Sequence, residues 1–413
     1  MSELAMHGGP KAKPTGYNSP NRYGDEEKRL LSEAIDDGAL MYTSGSKVGE
    51  FEQAVQERFG CEHAIMTTSG SAAIHIAMAA VGVAEGDEVI TTAMGDAGTT
   101  IGIVAQHAIP IFADIDLDSA TATLSAGSSE SLITERTRAI LVVHMGGNIA
   151  DLDAFLELGR KHGVAIVEDC SQAHGGKWKG KVVGTLGDVG AFSMNESKHM
   201  STGDGGFLTI NDPECARLAR LMSDKTYIRD GSIGRGGQPI PFLGLNYRPN
   251  CLIGAVGLAQ LDKLPARIAR HKAIVGRYYD GLSDLPHLVL PSVLDNAEPA
   301  WWSFPARYVG ESPTRDELLE ALRAEGLSVG GGMAPSSNAL RTELIRSKRL
   351  YPLTDAVPHF WRDTVYDPDS CPNVDEMQRT VVFHKIDERY TDEDVEQTIA
   401  GFRKVWRHYF GVG

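Results

Sequence analysis

The sequence lacks several features that define other classes of protein. No run approaches the ~18 consecutive apolar residues that a membrane-spanning helix needs. The start, Met1-Ser-Glu-Leu-Ala-Met, has no basic segment followed by an apolar run, so we expect no secretory signal. A formal net charge of −15 argues against a nucleic-acid partner, which would favour a basic surface. We therefore expect a protein that handles small molecules, with neither a membrane nor a nucleic acid among its partners.

Cysteine pairs and two nucleotide-binding motifs are also missing. No C-x-x-C pair occurs, so the sequence suggests neither a zinc knuckle nor a disulfide framework, and we predict no metal site. A reducing cytoplasm is the simplest location for such a chain. Neither G-x-G-x-x-G nor G-x-x-x-x-G-K-[ST] is present, so nicotinamide and nucleoside-triphosphate sites lack support. The five cysteines are Cys61, Cys170, Cys215, Cys251 and Cys371.

The order of apolar runs predicts an α/β fold. After an extended arm, with helix beginning near Glu26, short apolar runs alternate with amphipathic stretches from Phe51 to about Ile210. This alternation predicts a mostly parallel sheet covered on both faces. Past "PHLVLP", two strand-like and two helix-like segments predict a smaller α+β domain. We place the arm and large domain in residues 1–265 and the small C-terminal domain in residues 266–413.

Two segments between predicted elements carry polar groups suited to a ligand. Asp169 ends the strand-like "VAIVED", and ligands of open α/β sheets bind at the carboxyl ends of strands. Ser69-Gly70-Ser71 lies between a strand and a helix, where backbone N–H groups and two hydroxyls would suit a phosphate. Each segment has a structural alternative, because Asp169 could cap the next helix and Ser69 or Ser71 could cap its own.

Lys198 lies in an unusual context. It follows the buried-looking strand "VGAFSM" and precedes a glycine-rich turn into "GGFLTI", which would hold its amine inside the site. A lysine amine so placed could form a Schiff base. Together with Asp169 and the Ser-Gly-Ser turn, Lys198 supplies the ingredients of a pyridoxal-phosphate site. The lysine would hold the aldehyde, the carboxylate would pair with the pyridinium nitrogen, and the serines would hold the phosphate.

The chain resembles the DegT/DnrJ/EryC1/StrS aminotransferases, the sugar and cyclitol branch of the fold-type-I pyridoxal-phosphate enzymes. The likeness runs from "LAMHGGPKAKP" to the last helix. It rests on "VGEFEQAVQERFG", "TTSGSAAI", "GDEVITT", "IPIFADID", "VEDCSQAHGGKWKGKVVGTLGDVGAFS", "SKHMSTGDGG" and "LGLNYRPNCLIGAVGLAQLDKL". The resemblance implies a large domain built on a mostly parallel seven-stranded sheet.

The resemblance also implies individual roles. Lys198 matches the cofactor-bonded lysine, Asp169 the partner of the ring nitrogen, and Gln172 the residue near the ring's phenolic oxygen. The cofactor's phosphate is matched by Ser193 and by the turn at Gly70, Ser71 and Ala72, with Ala72 acting through its backbone. Asn246, in "LNYRPN", matches an asparagine that reaches the phosphate across a dimer interface, which implies a homodimer with shared active sites.

One position departs from the family pattern. Many members carry an aromatic residue after "GDEVITT" that stacks on the cofactor ring, whereas Asp96 takes that place here. A carboxylate cannot stack, so two interpretations follow. Asp96 either points into the substrate pocket and hydrogen-bonds a hydroxyl or amine of the acceptor, while Met94 or another neighbour covers the ring, or it caps a helix that starts near Thr99 and has no role in chemistry. Both interpretations stay open.

Several further residues are weaker candidates. His144, Arg248 and His384 lie in or next to site segments and could contact the substrate. His199 is better explained as a hydrogen-bonded structural histidine, and Trp301 and Trp302 as packing residues. The glycine-rich stretch 229–239 is either a loop that meets an anionic substrate or a solvated linker.

We therefore expect a cytoplasmic, homodimeric aminotransferase dependent on pyridoxal 5′-phosphate. By resemblance, its donor is glutamine or glutamate and its acceptor a keto-sugar, keto-cyclitol or related ketone. Alternatives are a dehydratase or an aminohydroxybenzoate-type synthase of the same family, or a non-catalytic regulator. The family's sugar 3-dehydratases carry histidine at the lysine position, so Lys198 speaks against the first, and the intact set of Lys198, Asp169 and Ser193 speaks against a regulator.

Overall fold

A computed structural model describes residues 3–117, 122–229, 231–233, 237–332 and 338–412. Its α-helices are α1 (Asp25–Asp36), α2 (Lys47–Phe59), α3 (Gly70–Ala80), α4 (Ala97–Ala105), α5 (Ala126–Glu130), α6 (Leu152–His162), α7 (Pro213–Ser223), α8 (Cys251–Leu282), α9 (Arg315–Ala324), α10 (Glu343–Ser347), α11 (Pro372–Thr380) and α12 (Asp392–Phe410). Its strands are β1 (His63–Thr67), β2 (Glu88–Thr92), β3 (Ile109–Ala113), β4 (Thr137–Val143), β5 (Ala165–Asp169), β6 (Lys177–Trp178), β7 (Lys181–Val182), β8 (Val189–Ser193), β9 (Gly206–Ile210), β10 (Leu288–Val289), β11 (Ala297–Glu298), β12 (Ser303–Tyr308), β13 (Val329–Gly330) and β14 (Val381–Lys385).

The large domain is built on a seven-stranded sheet with the order β1-β9-β8-β5-β4-β2-β3. Strands β8, β5, β4, β2 and β3 pair in parallel, whereas β9 is antiparallel to both β8 and β1. Side chains in the middle of the sheet are fully buried, as at Leu141 and Val142, because helices cover both faces. The predicted mostly parallel sheet is confirmed.

The strand directions bring the predicted site segments to one edge. Strands β1, β2, β5 and β8 run in the same direction and end at Thr67, Thr92, Asp169 and Ser193. Their carboxyl ends therefore share the edge of the sheet at which ligands bind in open α/β folds.

The small domain has an antiparallel sheet of its own, with the order β10-β12-β14-β13. Its hydrophobic core contains Trp406 from α12 and Leu318 from α9, which confirms the smaller α+β domain. Helix α8 contributes to both cores, with Ala255 in the large one and Tyr278 in the small one. The predicted boundary between residues 265 and 266 lies inside α8 and stays a prediction.

The N-terminal arm packs on the small domain. Leu4 is buried in that domain's core, and the buried Lys13 ammonium pairs with Asp394 in the first turn of α12. The same turn carries the predicted capping box, in which Asp394 N donates to Thr391 Oγ1 at 3.1 Å. These contacts join the arm to α12.

Within the described residues, every helix is too short or too polar to cross a bilayer.

Candidate functional site

A cavity of about 400 Å³ opens at the carboxyl edge of the seven-stranded sheet. It is lined by residues at or next to five strand–helix or strand–strand connections of the large domain and by one residue of the small domain. They are Ser69, Gly70, Ser71, Ile74, Asp96, Gly98, Thr99, Val143, Met145, Asp169, Ser171, Gln172, Ser193, Asn195, Ser197, Lys198, Asp204, Gly205 and Trp302. Most of the predicted cofactor residues are therefore brought together.

Lys198 lies in a turn just after β8, and its amine faces the cavity. The turn is fixed by Lys198 N, which donates to Asn195 O at 3.0 Å, and by Ser197 N, which donates to Asn195 Oδ1 at 3.2 Å. The Lys198 Nζ atom is 4.9 Å from the centre of the Trp302 ring. Burial lowers the pKa of this amine, and the carboxylates of Asp169 and Asp96 offset part of that effect. A lowered pKa favours the neutral amine, which is the nucleophilic form.

Two donors hold the Asp169 carboxylate at the end of β5. Thr99 Oγ1 donates to Asp169 Oδ2 at 2.9 Å, and Ser171 N donates to Asp169 Oδ1 at 3.1 Å. The residues after Asp169 form turns that lead into β6, so the alternative that it caps a following helix is wrong. Its carboxylate is buried with both oxygens engaged, and its orientation is therefore fixed.

The first turn of α3 and the end of β8 form a tight anion cradle. Gly70 fits against Ser193 so closely that a Cβ atom at Gly70 would lie 2.6 Å from Ser193 Cβ. On the other side, a Cβ atom at Gly98 would lie 2.6 Å from Ser71 Oγ. The hydroxyls of Ser71 and Ser193 therefore flank the start of a helix, where backbone N–H groups attract anions.

Ser69 has the structural role that the sequence left open. Its Oγ accepts a hydrogen bond from Ala72 N at 3.1 Å, so Ser69 is the N-cap of α3. The Ala72 N–H is engaged in this cap and Ala72 is not among the residues that line the cavity, so its predicted backbone contact with the phosphate stays a prediction.

Asp96 caps a helix and also lines the cavity, so its predicted contact with the acceptor stays a prediction. Its Oδ1 accepts from Gly98 N at 2.8 Å, which makes it the N-cap of α4, and the helix begins at Ala97 rather than near Thr99. Asp96 also lines the cavity. Met94 is buried in a hydrophobic core and does not line the cavity, so it does not cover the ring position.

Gln172 lines the cavity, and its side chain is anchored to the neighbouring β4–α6 connection. Gln172 Oε1 accepts a hydrogen bond from Gly146 N at 2.7 Å. This hydrogen bond joins the segment after Asp169 to the segment after Val143 and so fixes the relative position of the two segments that line the cavity.

The two histidines among the weaker candidates, His144 and His384, do not line the cavity. His144 is fully buried, with Nδ1 accepting from Ala150 N at 3.2 Å and Nε2 therefore donating to Glu168 Oε2 at 3.1 Å. His384 is buried in the small domain between Ser328 O and the Tyr278 hydroxyl, and burial lowers its pKa to about 4. These contacts give both histidines structural partners in place of a substrate.

Arg248 and Asn246 lie outside the cavity as well. Arg248 donates to the buried Asp224 at 2.5 Å, and Arg229 also binds Asp224, at 2.7 Å. Asn246 has an exposed side chain, so its predicted contact with a partner's phosphate stays a prediction. In the stretch 229–239, residues 230 and 234–236 lie outside the described residues.

One group of buried side chains has the composition of a metal site. Ligand atoms of His144, Glu168 and Cys170 lie within 4.8 Å of one another. The Glu168 carboxylate, however, already accepts a hydrogen bond from His144. It also accepts hydrogen bonds from the backbone N–H groups of Gly184 and Gly187, both at 2.7 Å. Burial opposes its charge, but these donors lower the pKa of Glu168. The group is best described as a buried hydrogen-bond network.

Trp302 is the main site residue that the sequence did not indicate. It lines the cavity from the start of the small domain, and its Nε1 donates to Ser197 O at 2.7 Å, next to Lys198. Its neighbour Trp301 packs in the small domain's core as expected. His199 is structural as expected, with Nε2 at 3.2 Å from Ala300 O. In the sequence the two adjacent tryptophans look alike, so the sequence could not show that Trp302 lines the cavity while Trp301 packs in the core.

Comparison with known proteins assigns the chain to a family. Residues 21–331 match the model of the DegT/DnrJ/EryC1/StrS aminotransferase family. GDP-perosamine synthase of Caulobacter vibrioides is 35% identical over 316 residues, which are 75% of this chain and 81% of that protein. A Streptoalloteichus tenebrarius protein, provisionally named L-glutamine:3-amino-2,3-dideoxy-scyllo-inosose aminotransferase, is 32% identical over 80% of each chain.

A solved structure agrees with these matches. The crystal structure of 3-amino-5-hydroxybenzoic acid synthase superimposes with a TM-score of 0.82 and 25% identity, covering 94% of this chain and 98% of that one. The similarity of the whole fold, the match to the family model and the residues of the cavity all support the same family assignment. The chain belongs to the DegT/DnrJ/EryC1/StrS family and is a pyridoxal-phosphate-dependent aminotransferase.

Proposed function

We propose that this enzyme transfers the amino group of glutamine or glutamate to the keto group of a sugar, a cyclitol or a related ketone. The product would serve in the synthesis of a specialised metabolite or a surface glycan. The observation that carries the proposal is the half-buried Lys198, which shares one cavity with Asp169, in a chain whose relatives are named for perosamine and scyllo-inosose chemistry.

The cavity has the donor set that pyridoxal phosphate requires. Ser71, Ser193 and the first turn of α3 would hold the phosphate, and the close approach of Gly70 to Ser193 leaves room there for no larger residue. Asp169 would pair with the ring nitrogen, and Lys198 would bond to the aldehyde carbon. When bound, the cofactor supplies an electron sink for the bond-breaking step at the substrate carbon.

The protein's own contribution is to place and protect the proton transfers. Burial lowers the pKa of the Lys198 amine, so that Nζ can take a proton from the donor's α-carbon and return one to the acceptor's carbon. Thr99 and Ser171 keep the Asp169 carboxylate in one orientation during these transfers. Trp302 covers one side of the Lys198 amine and limits its contact with water.

We also propose that the active enzyme is a homodimer in the cytoplasm. The exposed Asn246 side chain is free to approach a second copy, as the resemblance implies, because its segment lies outside the cavity of its own chain. All five cysteines are free and buried, which suits a reducing compartment.

The test starts from enzyme whose cofactor has been loaded with an amino group by an amino donor. This enzyme is then mixed with a panel of keto-sugars, keto-cyclitols and ketonucleosides, and absorbance reports the return of the aldehyde form. We expect return with at least one ketone on this panel. If no member of the panel restores the spectrum, while simple 2-oxo acids do, the proposed acceptor class is wrong.

A second candidate function is an aminohydroxybenzoate-type synthase. The likeness to the solved 3-amino-5-hydroxybenzoic acid synthase, at 25% identity over 94% of this chain, supports it. Direct assay separates the two, because a synthase of this type would form an aromatic product that absorbs in the ultraviolet. A regulator that kept the fold would bind cofactor without transferring the donor's amino group.

A further inference from the structure

The side chains that line the cavity carry more negative than positive charge. Three carboxylates line it, those of Asp96, Asp169 and Asp204, against one cation among the described lining residues, Lys198. Under the proposed function the Lys198 amine is committed to the cofactor and to proton transfer. An amino-acid donor also carries an α-carboxylate, which this excess of negative charge would repel. Its binding therefore calls for a cation outside the set that lines the cavity.

Strand β14 presents such a cation on the face that turns toward the site. Side chains alternate along a strand, so Phe383 and Lys385 share one face and His384 lies on the other. His384 points into the small domain's core, whereas the Phe383 ring lies 6.0 Å from the ring of Trp302. Since the Trp302 ring is itself 4.9 Å from Lys198 Nζ, the face with Phe383 and Lys385 looks toward the cavity wall.

The carboxylates that follow Lys385 in the chain are already paired with other cations. The Asp387 carboxylate accepts two hydrogen bonds from Arg389, at 2.7 and 2.6 Å. Glu388 pairs with Arg267 at 3.0 Å and with Arg22 at 3.3 Å. These arginines satisfy the acidic groups that could otherwise have neutralised the lysine.

Among the side chains that the structure describes, none forms a hydrogen bond or an ion pair with the Lys385 amine. It is half-buried, and burial lowers its pKa. The charges of Lys385 and Lys198 also interact, since Lys385 contributes to the lowered pKa of Lys198. An ammonium that is half-removed from water without a partner gains from binding an anion.

We propose that Lys385 binds the carboxylate of a substrate that enters the cavity beside Trp302. This inference rests on the proposed function, because it assigns a residue to the substrate of that same site. The ligand is a single carboxylate, carried either by the amino-acid donor or by an acceptor ketone that bears an acid group. Lys385 would thus act on specificity, selecting acidic over neutral substrates.

The first experiment measures carboxylate binding without turnover. Cofactor-loaded enzyme is titrated with glutarate, a dicarboxylate with no amine, and the dissociation constant is read from the cofactor's absorbance. We expect Lys385→Met and Lys385→Gln to weaken glutarate binding about tenfold or more, which corresponds to about 1.4 kcal/mol. Lys385→Arg should keep most of the affinity, and the neutral glutaramide should bind all forms equally.

The matched control is Lys181→Met, which removes an exposed lysine of β7 outside the cavity. It should leave the glutarate constant within about twofold of the wild-type value, because a distant surface charge is screened by salt. If folded Lys385→Met and Lys385→Gln both bind glutarate as tightly as this control does, the assignment of Lys385 is wrong.

The second experiment identifies which substrate brings the carboxylate. The two half-reactions are followed separately by stopped-flow absorbance in wild type and in Lys385→Met. A raised half-saturating concentration confined to glutamine or glutamate assigns the carboxylate to the donor, and one confined to the ketone assigns it to the acceptor. Normal values in both half-reactions overturn the inference and leave the proposed function intact. If the wild type transfers no amino group at all, the proposed function fails, and the glutarate titration alone decides the role of Lys385.

Discussion

The contact between Gly70 and Ser193 allows a quantitative test of the anion cradle. In Gly70→Ala, the new Cβ atom would lie 2.6 Å from Ser193 Cβ and 3.1 Å from both Ser193 Cα and Oγ. Carbon atoms in contact sit about 3.5–4.0 Å apart, so the start of α3 and the end of β8 must separate by about 1 Å. Overpacking of this kind costs about 1–3 kcal/mol.

A gain in helix propensity opposes this cost. Alanine in place of glycine within a helix stabilises by about 0.5–1 kcal/mol, and the backbone of Gly70 is one that alanine can adopt. The gain is smaller at the first residue of a helix, so the steric cost should exceed it. We expect Gly70→Ala to lower the melting temperature of the holoenzyme and to weaken cofactor retention about tenfold or more, because the two phosphate-binding segments have moved apart.

Gly276→Ala is the matched control. Gly276 lies inside α8, where an added Cβ atom meets nothing within 4 Å. This substitution should keep the propensity gain without the clash, raising the melting temperature slightly and leaving the cofactor in place. The assays are thermal unfolding and the cofactor absorbance that remains after gel filtration. If Gly70→Ala retains cofactor as well as Gly276→Ala does, the cradle is not where we place it.

Three further predictions test the other site residues. Borohydride should fix the cofactor on Lys198, as peptide mapping would show, and Lys198→Ala should lose about three orders of magnitude or more of turnover; an adduct on another lysine would refute the alignment of the motif. Asp96→Asn should slow the acceptor half-reaction while cofactor binding and melting temperature stay nearly unchanged, since asparagine caps a helix about as well as aspartate. Unchanged kinetics with the true acceptor would leave Asp96 only its cap. Asn246→Ala should weaken cofactor retention, and mixing it with Lys198→Ala should restore some activity, because one site of the heterodimer then carries neither lesion. No restoration, with subunit exchange verified, would count against shared sites.

The site residues that the sequence predicted are those at the ends of strands. Asp169 and Ser193 each end a run of apolar residues, and parallel strands bring such ends to one edge. The order of the elements therefore predicts that the lysine, the carboxylate and the Ser-Gly-Ser turn meet at one edge, whereas the role of Ser193 follows from the family resemblance. The antiparallel direction of β9 was not indicated, because its apolar run looks the same in either direction.

The residues that the sequence missed depend on contacts between distant segments. Trp302 reaches the cavity only because the small domain sets the start of β12 against the turn before Lys198. His144 looked like a site residue because it follows a strand, yet the buried Glu168 beside it draws its ring away from the cavity. Such pairings depend on which side chains become buried together, and hydrophobic periodicity does not report that.

The N-terminal arm also reaches the segment that carries the lysine. Besides the pairing of Lys13 with α12, Arg22 donates to Glu196 O at 2.7 Å and to His199 O at 3.3 Å, on either side of Lys198. The arm thus connects the α12 end of the small domain to the lysine's turn. Segments joined in this way open together, because the loss of one contact releases the others. In native-state hydrogen exchange, we expect the amides of the arm's contact points and those of the turn to exchange as one cooperative unit. Proteolytic cleavage within the arm should accelerate exchange at the turn although the cleaved bond lies far from it in the sequence.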